Sequence, residues 1–116
     1  MKKLFTLLFI GFIAVNLFAQ PPITCVHLVG SDPPPDYAQT AIDAFIALGI
    51  EVTVEVIGPE SATSGYDFAI IGENIGSGDA NQARYSTAPL PILVWKCMNV
   101  KPSGLNWAPD RGDNSR

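Results

Sequence analysis

The sequence predicts an α/β protein built on a small, open, doubly wound parallel sheet. Three observations predict it. The runs FAII (Phe68–Ile71) and ILVW (residues 92–95) are apolar without interruption, the pattern of interior parallel strands. Residues 50–57, IEVTVEVI, alternate strictly between polar and apolar, as a strand with one well-buried face does at a sheet edge. Between the first strand and this one lies a strong helical period, the crossover that parallel neighbours require.

Taken in order, residues 23–30 (ITCVHLVG) are apolar on both alternating sets apart from His27, which suits a strand covered on both faces. Ser31, Asp32 and the prolines 33–35 end it, because proline cannot donate to a ladder. Asp36 as N-cap with Gln39 three residues on predicts a capping box. Ala38, Ala41, Ile42, Phe45 and Leu48 then recur at helical spacing, and Gly49 stands where a left-handed C′ residue belongs. The alternating strand follows, with Glu51, Thr53 and Glu55 opposite Val52, Val54 and Val56. After the FAII run, residues 79–85 predict a short helix capped by Ser77 or Asp79, and Pro89 and Pro91 close the crossover into the last strand. This order gives a three-layer, flavodoxin-like or Rossmann-like sheet with strand order 2-1-3-4. Residues 100–116 show no period and are rich in Pro, Gly, Asn and Asp, so a loose polar tail is expected there. The fourth strand is then an apolar edge, to be covered by a protein partner or by a missing C-terminal half of an incomplete domain.

The first nineteen residues form a separate unit. Lys2 and Lys3 precede an apolar stretch at residues 4–17, and Leu17 and Ala19 fit the −3 and −1 positions of a signal-peptide cleavage site before Gln20. Cutting after Gln20 would place Pro21 next to the scissile bond. A bilayer span wants about 20 apolar residues, more than this run supplies. The expected destination is therefore secreted or periplasmic, with residues 20–99 as the α/β domain and the membrane met only during export. Residues 1–19 hold two of the seven basic residues and none of the eleven acidic ones, so the remaining 97 residues carry a net charge of −6. Arg84, Lys96, Lys101, Arg111 and Arg116 form no run, which argues against a nucleic-acid partner.

YDFAIIGENIGSGDANQARYSTAPLPILVWK, residues 66–96, carries a Tyr-Asp before a strand, a small-residue turn, a short helix and a proline before a strand ending in Val-Trp. This stretch resembles the front half of class I glutamine amidotransferase-like domains, including the trehalose-utilisation-protein branch. AIDAFIALGIEVTVEV, residues 41–56, looks like the first helix and second strand of that superfamily. The resemblance spans about residues 23–99 and is nearest to non-catalytic versions in secreted bacterial proteins. It implies a domain longer than this chain, whose later strands and helices have no counterpart here.

In doubly wound sheets ligands bind beyond the carboxyl ends of the strands. The residues expected there are Ser31 and Asp32, then Glu73, Asn74 and Ser77, then Lys96 and Cys97. The resemblance makes Cys97 the candidate nucleophile, yet its flanks Lys96 and Met98 lack the small residues of a tight elbow and no histidine follows it. Lys96 beside it favours a reactive thiol rather than a triad. The single histidine, His27, reads as a structural residue, and one imidazole makes no zinc site. Gly72, Gly76 and Gly78 fit neither G-x-G-x-x-G nor a phosphate loop, and Glu73 and Asp79 would repel an anion, so the loop reads as a strand-to-helix turn. Cys25 near the start of the first strand and Cys97 past the end of the fourth should lie too far apart for a disulfide.

These features point to an exported, non-catalytic α/β module acting as a binding or assembly part, with no cofactor and no metal. The alternatives are a thiol-dependent amidotransferase or hydrolase relative using Cys97, and a truncated remnant without independent activity. The export reading is open to direct measurement. Secretion from a Sec-competent bacterial host is expected to yield a protein whose N-terminal peptide begins at Gln20 by mass spectrometry, and retention of residues 1–19 would contradict it.

Overall fold

The computed structural model of the protein describes residues 20–107; the expected signal segment 1–19 and residues 108–116 of the expected tail lie outside the described residues. The elements are β1 (Thr24–Val29), α1 (Asp36–Ala47), β2 (Glu51–Val56), β3 (Phe68–Ile71), a 3-10 helix (Ala80–Tyr85), β4 (Ile92–Val94) and a second 3-10 helix (Cys97–Val100). The four strands form one open sheet in the order β2-β1-β3-β4, and every pairing is parallel. Among the described residues no helix is long and apolar enough to cross a membrane.

β1 lies inside the sheet, with Cys25 opposite Val52 on one side and Phe68 on the other. Its register against β3 is pinned at the start by Asp67, whose carboxylate accepts from the Thr24 amide at 2.8 Å and from the Thr24 hydroxyl at 3.1 Å. Parallel partners in register share a face. Val52, Val54, Phe68, Ile70 and Leu93 therefore lie on the side of Cys25 and His27, while Glu55, Ala69, Ile71, Ile92 and Val94 lie on the side of Val26 and Leu28.

α1 covers the first of these faces. Ala38 and Ile42 are buried, and the Phe45 ring meets His27 and Trp95 edge-on, with centroids 6.4 and 6.1 Å away, and tilts against Phe68 at 6.5 Å. The helix ends as its sequence requires, at Gly49 with φ +84°. Its start differs from the expected capping box. Pro35, in extended geometry, is the N-cap, and its carbonyl accepts from the amides of Ala38 and Gln39 at 2.9 and 3.0 Å. Asp36 is consequently the first helical residue, too far along to cap, and Gln39 turns outward to donate to Asp43 at 2.8 Å. The carboxylate of Asp36 still complements the positive end of the helix dipole.

The opposite face is closed by short pieces rather than by a long helix. Val26, Leu28, Ala69 and Ile71 from the sheet pack with Ile57, Ile75, Tyr85, Leu90 and Leu105 in one buried cluster. Leu105 belongs to the stretch expected as a loose tail. Residues 101–107 instead turn back across the sheet, because Leu105 donates its amide to the Asn99 carbonyl at 2.8 Å and its side chain completes the apolar cluster. The Tyr85 hydroxyl, fully buried, meets the Ser61 hydroxyl at 2.8 Å and donates to the Ala62 carbonyl at 2.9 Å, and Glu55 accepts from the Ala62 amide at 2.9 Å. These bonds tie the loop between β2 and β3 to the crossover between β3 and β4.

Tyr85→Phe should lower unfolding stability by about 1–3 kcal/mol through the partners it strands, and Leu28→Ala by about 2–5 kcal/mol through the cavity it opens. Urea denaturation with unchanged m is the check. A Tyr85→Phe midpoint equal to that of the parent would remove the hydroxyl from this account.

Candidate functional site

The crossovers leaving β1 and β3 run on opposite faces: α1 covers the His27 side, and the segment containing Tyr85 covers the Leu28 side. Where such connections diverge, the carboxyl ends of the two strands open a crevice. A shallow open notch enclosing about 10 Å³ lies there, lined by His27, Tyr37, Ala38, Ala41, Glu73 and Trp95.

Each side chain reaches the notch for a local reason. Tyr37 and Ala38 begin α1, and Ala41 follows one turn later on the sheet-facing side. Trp95 directly follows β4 at the edge of the sheet and stays 48% exposed while its ring meets Phe45 edge-on. Tyr37 is 54% exposed. His27 forms the floor at 1% exposure, and its Nδ1 is buried with no hydrogen-bond partner. Desolvation pushes the imidazole pKa below its ordinary value of 6.5, so the ring is uncharged at neutral pH.

The backbone turn beside this floor explains the glycine-rich loop. Gly72 is buried so tightly that a Cβ there would stand 2.6 Å from the Leu28 carbonyl oxygen and 3.2 Å from His27 Nε2. A left-handed conformation is not the reason: among the described residues the glycines with positive φ are Gly49 and Gly65, outside this loop. The turn reading of residues 72–79 holds, then, through close backbone approach instead of through φ. Asp79 supplies the expected cap, accepting from the Asn81 amide at 2.9 Å.

Of the residues expected around a ligand, Glu73 alone lines the notch. Asn74 is used internally, accepting from the Gly30 amide at 3.1 Å and holding the ends of β1 and β3 together. Ser31 donates to the Pro33 carbonyl at 3.2 Å, and Asp32 beside it is exposed. Ser77 offers its carbonyl to the Ser103 hydroxyl at 3.2 Å. Lys96 is half-buried and precedes the second 3-10 helix, where its carbonyl accepts from the Asn99 amide at 3.0 Å. Cys97 is exposed and free, and Cys25 is free and buried, its thiol pKa raised by desolvation. β3 separates the strands that carry His27 and lead to Cys97, a spacing of about 10 Å across two ladder intervals, beyond the reach of a nucleophile-base hydrogen bond. Tyr37, Trp95 and His27 are the lining residues that spacing arguments passed over. The available signal was positional, since Tyr37 lies in the first turn of the helix and Trp95 follows the last strand, the two places that border the crevice.

No family model matches the chain, and searches of curated proteins and of solved structures gave no match. What the fold and geometry define is a small parallel α/β protein with an aromatic and acidic notch at the carboxyl ends of its strands.

His27 makes a pH prediction. Above its ordinary value both folded and unfolded chains hold it neutral, so it adds no pH dependence. As pH falls below 6.5 the unfolded chain binds a proton that the folded chain resists, so stability drops until the pH passes the lowered folded-state value. Glu73 and Tyr37 share its lining and are unchanged in His27→Leu, which isolates the imidazole. Urea midpoints between pH 7.5 and 5 should fall more steeply for the parent than for His27→Leu, and parallel curves would refute a buried neutral imidazole.

Proposed function

We propose that this chain is an exported, non-catalytic α/β module that binds a small ligand at the carboxyl ends of its strands. The observation that carries the reading is the notch itself: it lies at the divergence of the β1 and β3 crossovers, and two half-exposed aromatic residues and the acidic residue Glu73 line it beside a buried imidazole. Its resemblance at residues 66–96 to non-catalytic amidotransferase-like domains supports the same reading, as does the wide separation of the Cys97 thiol from the single imidazole. A nucleophile without a base in reach is a poor catalyst. The enclosed space is only about 10 Å³, room for one water-sized group, so a ligand rests in the open mouth and reaches the floor with a single small group.

Two measurements test this. In a fragment screen followed by backbone and side-chain NMR, hits should perturb His27, Tyr37, Glu73 and Trp95 together and saturate. Cys97→Ala should leave both the hits and their affinities unchanged. Turnover of a glutamine-like amide or a thioester that vanishes in Cys97→Ala would replace the binding reading with the thiol-hydrolase one.

A further inference from the structure

The lining of the notch specifies a class of ligand, and the argument rests on the binding reading above. Tyr37 and Trp95 keep about half of their surface exposed while bordering the same space. The faces of both rings carry negative quadrupole potential that attracts a cation within about 6 Å of the centroid. Glu73, an exposed residue of the same lining, brings an acidic side chain to this corner. At the floor stands His27, uncharged and 1% exposed, with an unpartnered ring nitrogen, so nothing beneath the mouth repels positive charge.

Competing ligand classes fit less well. The amino end of α1 favours an anion with about half an elementary charge, but Asp36 sits in that first turn and Glu73 belongs to the lining, so the two acidic residues outweigh the dipole. A metal ion wants several oxygen, nitrogen or sulfur ligands, and no group of three His, Cys, Asp or Glu is assembled among the described residues. An uncharged apolar group would strip water from Glu73 without replacing it. We propose that the notch binds a small organic cation, an alkylammonium head group held between the rings of Tyr37 and Trp95 against the Glu73 carboxylate.

The test is a titration of the purified protein with ethylammonium chloride and with tetramethylammonium chloride, each against potassium chloride at equal ionic strength. Shifts of the Trp95 indole, the Tyr37 ring and the His27 imidazole are followed by NMR. Both salts, or one of them, should produce saturable shifts at these residues that potassium does not. A response to ethylammonium alone assigns a hydrogen-bonding amine, and a response to tetramethylammonium assigns a cage for methylated nitrogen. Glu73→Gln and Tyr37→Leu, both at exposed positions, should each weaken binding at least tenfold with an unchanged amide fingerprint, while Glu51→Gln at the amino end of β2 should leave it unaltered. Shifts reproduced by potassium, or an intact affinity in Glu73→Gln, overturn the cation assignment. If uncharged or anionic fragments saturate the same residues and ammonium salts do not, the notch remains a binding site and the cation assignment alone fails. If no probe perturbs them, both readings fail.

Discussion

The double burial of β1 is the constraint from which the remaining structure follows. Five of its six residues, Cys25 to Val29, are buried, and both of its edges are bonded, to β2 and to β3. A strand so placed must be apolar on both alternating sets, must be joined to its neighbours by crossovers, and must have a layer on each face. Each requirement is met by a different part of the chain. α1 supplies the layer over Cys25 and His27, while the crossover ending at Tyr85 and the turn bearing Leu105 supply the layer over Val26 and Leu28. Even the loop after β3 answers to this strand, since Gly72 donates its amide to Leu28 at 3.0 Å and has no room for a side chain.

The two layers are unequal, and that inequality creates the notch. An α-helix is about 10 Å across with its side chains, enough to cover two strands at about 4.8 Å spacing but not four. Among the described residues one α-helix lies over the four-stranded sheet, which leaves the outer strands half-clad. Val54 and Val56 on β2 and Leu93 on β4 are exposed accordingly, although the alternation of β2 suggests a valine face turned wholly inward. On the far face, shorter pieces fit the sheet more closely because each brings its own hydrogen bonds: Arg84 donates to the Gly58 carbonyl at 2.8 Å, and Tyr85 anchors Ser61 and Ala62. The notch is the space left beside α1 where its first turn, the end of β3 and Trp95 fail to close.

Strand order and the carboxyl end of the helix were legible in the sequence because they depend on nearest neighbours: the unbroken FAII run, the alternation after Gly49, and Gly49 itself each encode one local decision. Features that depend on distant partners were not. Asp36 and Gln39 match a capping box, but the geometry of the preceding prolines moved the cap back to Pro35. Leu105 looks stray in a polar stretch until the cluster it completes is known. Glu73 was legible as a border residue because it follows an interior strand, whereas Asn74, next to it and chemically similar, is spent on Gly30. No local pattern separates those two roles.

His27 carries the final step. A buried polar atom without a partner costs on the order of 1–3 kcal/mol, and an apolar side chain of similar size in β1 would avoid that cost. Gln82 and Asn99 also bury unpartnered atoms, but they belong to the two 3-10 helices rather than to a strand, and Gln82 already donates to the Gly76 carbonyl at 2.6 Å. The surroundings of His27 are different: Phe45 packs on one side and the notch opens on the other, with an apolar strand above and below. Local consistency fails here, in the most deeply buried strand, and at the floor of the space where the connections diverge. A polar group that weakens the core directly beneath the notch accords with the binding reading proposed above.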